Sequence, residues 1–190
     1  MRPPKVEEQE LLKSLMGILR SKGYEGASLN DLAAASGLKK ASLYHRFPGG
    51  KKEIAQAVLQ YVSEWVEVHI KQTLVNQDLP PMDRLHQAVQ NIDALYDQGQ
   101  DICIIRALSM STGMALFAEE LKQGVQMWLA SFESLGMDLG FSETEAQEKA
   151  LQVLINIQGS LVVSKAVGNL APFKQALKNI LEMYQSSGNS

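Results

Sequence analysis

The sequence predicts an all-α protein, a small helical head followed by a larger helical body. Three observations carry this. Apolar residues recur at three- and four-residue spacing in every long segment. No segment alternates convincingly with a period of two, so no sheet is expected. The breaks fall at glycines and prolines, which stop helices. Of 190 residues, 45% are hydrophobic and 21% charged, which supplies a core and argues against disorder. That length suits one medium domain or a small domain joined to a larger one.

Leu11, Leu12, Leu15, Met16 and Leu19 follow Pro3 and Pro4 and predict a first helix over roughly 5–22, stopped by Gly23. Ser28 and Asp31 form a capping-box-like start for a short helix through Ala35, and Gly37 breaks it with a turn. A third short helix covers roughly 39–46 and ends at Pro48-Gly49-Gly50. A long helix over about 51–75 puts Ile54, Val58, Val62, Trp65 and Val66 on one face. Pro80-Pro81 is the clearest break. Helices then fit 82–97, 102–110, 113–138, 143–167 and 172–185, with Ser142 and Glu145 as a second capping box and a polar tail over 186–190.

Net charge is −3, but it is unevenly spread. Residues 1–52 carry ten Lys/Arg against five Asp/Glu, whereas residues 53–190 carry eight against sixteen. A basic head on an acidic body points to a polyanion partner for the head alone. The N-terminus shows no secretory leader and the apolar runs read as too short to span a bilayer, so a cytoplasmic protein with no membrane partner is expected. Cys103 is the single cysteine, which fits a reducing compartment.

Two short helices joined by a turn containing Gly, with a third helix ahead of them, describe a helix-turn-helix. One helix enters the major groove while its neighbour braces it. Leu29, Leu32, Ala33, Leu38 and Leu43 would pack the pair onto the first helix. That leaves Lys39, Lys40, Ser42, Tyr44, His45 and Arg46 for double-stranded DNA.

The stretch from Gly26 through Phe47, GASLNDLAAASGLKKASLYHRF, with Pro48-Gly49-Gly50-Lys51-Lys52-Glu53 after it, resembles the DNA-binding domain of TetR-type repressors. The Phe-Pro-Gly-Gly-Lys variant resembles the LmrA/YxaF-like branch. The match covers about residues 5–60; the rest agrees only in being helical and of suitable length. The resemblance implies an N-terminal three-helix helix-turn-helix DNA-binding domain over 1–50, with the connecting helix attached to about 60. A ligand-binding and dimerisation domain over 51–190 would follow.

The resemblance also implies roles for single residues. Lys40 would contact DNA near the start of the recognition helix. Ala41 stands where Gly is usual and allows close approach. Ser42 and Tyr44 match phosphate-holding positions. His45 is a base-edge reader, since its ring offers a donor and an acceptor. Lys52 matches a phosphate-gripping lysine at the start of the long helix, and Ser28 would cap its own helix and touch phosphate. Lys39 departs from the family, where a Ser commonly caps this helix; it and Arg46 would touch phosphate or remain solvated.

In the family the second domain binds a small effector and forms the homodimer through its last two long helices. Residues 150–167 are apolar nearly all round, which means burial on several sides. Leu154, Ile157, Leu161, Phe173, Leu177, Ile180 and Leu181 are the expected dimer contacts. Tyr61, Trp65, His69, Cys103, Arg106, Met110, Met114, Phe117 and Trp128 are the expected pocket lining, suited to a hydrophobic or aromatic effector, unless they simply form the core. No cofactor and no metal site are expected. A di-metal enzyme would need two Glu-x-x-His motifs, and only Asp83-x-x-His86 comes near. Neither His69 nor His86 is marked as a partner for a catalytic Cys103. The remaining alternative is a DNA-bound regulator without an effector, controlled by Cys103 oxidation or a partner protein.

Overall fold

The computed structural model describes residues 8–185, and no strand occurs among them. The expected helix start at residue 5 and the tail at 186–190 lie outside the described residues. Helix α1 is Glu8–Gly26, broken at Gly23 where φ is 69°. Helices α2, Leu29–Ser36, and α3, Lys40–Arg46, follow. Helix α4, Lys51–Val66, continues through a π-helical turn, Glu67–Lys71, into α5, Gln72–Val75. Then come α6, Pro81–Leu95, a 3₁₀ turn at Asp97–Gly99 and α7, Ile104–Leu108. The last three are α8, Ser111–Asp138, α9, Glu143–Val167, and α10, Ala171–Gln185. Helix α8 is kinked at Phe117, where φ is −129°.

The chain divides into two compact units. The first runs to Ser63 and takes in Ile104–Leu121; the second is Glu64–Cys103 with Lys122 onward. The sequence reading ended the head at about 50, or 60 with the connecting helix, and gave α7 to the second domain. In the structure Ile104, Leu108, Phe117 and Leu121 are buried in the same apolar cluster as Leu11, Leu15, Leu19, Leu32, Leu43, Ile54 and Val58. Helix α1 packs against α7 as well as α2. Long-range burial of this kind leaves no local trace in a sequence.

In the second unit α6 packs against the π turn, α5 and α10, and α10 packs on α9. Arg84 is buried on the apolar face of α6. Its Nη1 donates to the Leu74 carbonyl at 2.8 Å and to Asp138 Oδ2 at 2.7 Å, tying the end of α5 and the end of α8 to α6. Tyr184 is fully buried and donates its hydroxyl to the Phe132 carbonyl at 3.2 Å; burial pushes its phenol pKa up.

Helix α9 starts at the expected capping box. Ser142 Oγ accepts from Glu145 N–H, and the Glu145 carboxylate accepts from Ser142 N–H at 2.9 Å. Ala146, Ala150, Val153, Leu154, Ile157, Leu161 and Ser164 form its buried row. Here the structure corrects the expected dimer contacts. Leu154, Ile157, Leu161, Phe173, Leu177 and Ile180 are each at most 8% exposed, so their own chain has already covered them; Leu181 is half-buried. The exposed apolar row of α9 is instead Leu151, Ile155, Val162, Val163 and Val167. A helix apolar on two faces shows by pattern that both are covered, but not which face turns inward.

By length and composition alone, α9 is also able to cross a bilayer, the one such helix among the described residues. The expectation that every apolar run is too short therefore fails for α9, because uncharged Gln152, Asn156 and Gln158 do not interrupt its hydropathy as charges would. Its buried row nonetheless packs in the second unit. Ser164 Oγ accepts the Phe173 N–H at 3.1 Å, closing the α9–α10 corner.

Candidate nucleic-acid interface

The head is built from its caps outward. At the start of α2 the Ser28 hydroxyl accepts from Asp31 N–H at 3.1 Å and donates to Asp31 Oδ2 at 2.6 Å. Ser28 N–H donates to the same oxygen at 3.0 Å. Lys22 Nζ lies 2.6 Å from Asp31 Oδ1. Lys22 first, then the Ser28 hydroxyl and amide, hold the Asp31 carboxyl well below the usual carboxylate range. The cap is as expected, but the second role given to Ser28 is not supported: both its hydrogens go to Asp31, leaving none to donate to a phosphate. At the other end Gly37 closes α2 with φ 66°, a left-handed position that suits glycine, and its N–H reaches the Ala33 and Ala34 carbonyls.

That turn aims α3. Only Leu43 of its seven residues is buried; Lys40, Ala41, Ser42, Tyr44, His45 and Arg46 are exposed, as is Lys39 before it. Lys39 sits at the N-cap and makes no side-chain cap, as expected of a lysine there. Tyr44 is 43% exposed and passes the backbone at Gly50. The Glu53 carboxylate accepts from Gly49 N–H at 2.6 Å and so fastens the turn between α3 and α4. Lys52 is exposed at the start of α4. Among the described residues Lys39, Lys40, Arg46 and Lys52 have no carboxylate partner, while Lys13 and Lys22 on α1 are paired with Glu10 and Asp31. Lys39, Lys40, Arg46 and Lys52 thus lie together along the chain on α3, at its N-cap and in the first turn of α4, while exposed Arg106 on α7 is a further cation of this unit without a carboxylate partner among the described residues.

The expected pocket residues do not form one group. Phe117 is fully buried in the first unit, edge-on to Tyr24 at 5.2 Å. Arg106, Met110 and Met114 are exposed there, and Tyr61 is half-buried. In the second unit Trp128 is buried and stacked parallel to Phe132 at 6.1 Å, a core ring. Trp65 is half-buried, and exposed His69 lies 4.5 Å from its ring. Cys103 is 3% exposed and its Sγ accepts from the Tyr96 hydroxyl at 3.4 Å. Arg106 misled because α7 is short and buries only one face, through Ile104 and Leu108. His86 Nδ1 lies 2.7 Å from the Met82 carbonyl. No group of three His, Cys, Asp or Glu able to hold a metal occurs among the described residues.

Sequence reasoning missed Tyr24, Glu25 and Thr112, which join α1 to α8, and the Arg84–Asp138 pair. For the pair a signal existed: Arg84 falls in register with Leu85, Ala88, Val89 and Ile92 on the apolar face of α6.

A short, mostly exposed cationic helix, braced by a capped helix across a glycine turn, defines a helix-turn-helix DNA-binding protein. Residues 11–58 match the model of the bacterial regulatory proteins of the tetR family. The chain is 25% identical over 184 residues to YxaF, an uncharacterised helix-turn-helix-type transcriptional regulator of Bacillus subtilis, covering 95% of this chain and 96% of that one. A TetR transcriptional regulator from Legionella pneumophila shares the fold with a TM-score of 0.79 at 16% identity, each chain covered in full. A cysteine variant of the TetR-family regulator CifR, solved with 26-bp operator DNA, superposes with a TM-score of 0.72 at 19% identity, covering 98% of this chain and all of that one. Residues 11–58 thus match the DNA-binding part of the tetR family of bacterial regulatory proteins, and the chain is similar along its length to helix-turn-helix-type transcriptional regulators.

Proposed function

We propose that the chain is a cytoplasmic homodimeric repressor, held on an inverted-repeat operator and released by a small hydrophobic or aromatic effector. The observation that carries the DNA half is the exposed set Lys40, Ser42, Tyr44, His45 and Arg46 on α3, with Lys39 at its N-cap and Lys52 in the first turn of α4, its cations free of carboxylate partners among the described residues. In this reading Lys40 contacts DNA, Ser42, Tyr44 and Lys52 hold phosphates, Ala41 allows close approach and His45 reads a base edge.

The exposed row Leu151, Ile155, Val162, Val163 and Val167 supports the dimer. Five large apolar side chains on one side of a helix need cover, and a second copy supplies an identical row across a two-fold axis. Two-fold symmetry sets two recognition helices about one DNA turn apart, roughly 34–36 Å, and asks for inverted half-sites. Helix α4 carries Lys52 at one end and Trp65 near the other, which makes it the lever. An effector that binds one setting of this helix better than the other shifts DNA occupancy. Control by Cys103 oxidation gains no support, because the thiol is buried against Tyr96.

The deciding experiment is selection of genomic fragments by the purified protein at near-physiological salt. An enriched inverted repeat is expected, and its neighbouring genes point to the effector class. A folded dimer that enriches no sequence overturns the reading. Compounds that raise the melting temperature are then expected to lower operator affinity; binding without release overturns the effector mechanism alone.

A further inference from the structure

The break at Gly23 turns the last residues of α1 out of the path of that helix, and three contacts then converge on Tyr24 and Glu25. The Tyr24 ring meets buried Phe117 of α8 edge-on at 5.2 Å and an interplanar angle of 76°. The Glu25 carboxylate accepts from Thr112 N–H at 3.1 Å and from the Thr112 hydroxyl at 2.5 Å. On the other side, Lys51 Nζ stands 4.6 Å above the Tyr24 ring and donates to the Glu25 carbonyl at 3.4 Å. Lys51 is the first residue of α4 and immediately precedes Lys52.

Thr112 lies in the first turn of α8, where backbone N–H groups have no partner within their own helix. Glu25 supplies that partner from α1, and its negative charge suits the positive end of the α8 dipole. Two consecutive residues thereby grip two helices: α8 at its first turn through Glu25 and at the Phe117 kink through Tyr24, and α4 at its first turn through Lys51. All of these groups belong to the first compact unit. We infer that residues 24–25 are a clasp, and that Glu25 and Thr112 are positioning residues for DNA binding, fixing the start of α8 to the part of the head that presents Lys52. The inference rests on the DNA-binding role of the head. With the clasp closed, Lys51 is anchored and Lys52 is offered in one setting; with it open, the first turn of α4 loses a support and affinity falls.

The test uses the full-length protein, the operator recovered by selection and a random duplex of equal length. Thr112→Val keeps the shape and deletes the hydroxyl donor; Glu25→Ala deletes the acceptor; Glu25→Gln keeps an acceptor oxygen. Thr112→Val and Glu25→Ala are expected to weaken operator binding about fivefold, the scale of a modest coupling between sites. The salt dependence should stay unchanged, because no interface cation is lost. Glu25→Gln should remain close to the parent. By reciprocity, operator DNA should slow hydrogen exchange at the Thr112 amide. Folded variants that bind operator like the parent, or a Thr112 amide indifferent to bound DNA, overturn the clasp. So does a Glu25→Gln as weak as Glu25→Ala, which would make charge and not the clasp responsible. A parent protein that binds neither duplex overturns instead the DNA-binding reading beneath it.

Discussion

Lys52 and His45 are both exposed on the head, yet they are expected to fail differently when removed. Lys52→Ala should weaken binding to every duplex and flatten the log–log salt dependence by about one unit, because one phosphate contact releases about one counterion. His45→Ala should relax the choice at one base position, costing on the order of 1–3 kcal/mol there, and leave random duplex nearly untouched. Binding titrations on a panel of operator variants check both; uniform loss for His45→Ala removes it as a base reader. Arg84 answers to stability instead. Asp138→Ala leaves a buried guanidinium without its carboxylate and should cost about 3 kcal/mol, read by denaturant unfolding. The Gln77 amide, then Arg84, hold the Asp138 carboxyl below its ordinary value. Its stabilisation is therefore complete above the unfolded pKa, near 4, and is lost as pH falls through the lower folded value. Asp138→Asn should reduce the loss of stability on the acid limb. The cations of α3 were legible because exposure on a short helix that buries only Leu43 follows from spacing. The buried arginine showed only as an oddity in an apolar register, since its partner lies 54 positions away.

Caps decide whether the short helices hold. Ser28→Ala breaks the box at α2 and should cost about 1 kcal/mol. At the N-cap of α3, Lys39 makes no cap, so Lys39→Ser should raise thermal stability by an amount of that order. If Lys39 also touches phosphate, the same change lowers DNA affinity and the salt slope together; a stabilised variant with unaltered binding assigns Lys39 to solvent. The boxes at Ser28 and Ser142 were readable, because a capping box spans four residues. The end of α1 was less so. Gly23 was expected to stop the helix, and the chain instead turns there and adds the short segment that reaches α8. Helix α9 shows the opposite limit: its ends and cap agree with the sequence, while the choice of buried face depends on packing against α10, which local pattern does not record.

For the whole molecule, the proposed dimer rests on a face that the isolated chain leaves uncovered. Val163→Asp puts a charge in the middle of that row, and sedimentation should show a monomer; a persisting dimer moves the interface elsewhere. The two compact units were not legible, because Ile104–Leu121 joins the head through side chains far away in the sequence, as in the Glu25–Thr112 bond across 87 positions. One further consequence concerns the π turn between α4 and α5. There the Gln72 N–H reaches back five residues to the Glu67 carbonyl, and the His69 carbonyl takes the Asn91 amide at 2.7 Å and the Thr73 hydroxyl at 2.9 Å. Such a turn is the mark an extra residue leaves in a helix whose ends are both committed. This rod therefore has a place where its length is negotiable. A chain shortened by Val68, half exposed in that turn, should close into plain α-helix and keep its melting temperature, whereas one shortened by Ala57 should swing the buried face of α4 by about 100° and fail to fold. Related regulators differing by a single residue in this helix would then be accommodated here, and not at the groove.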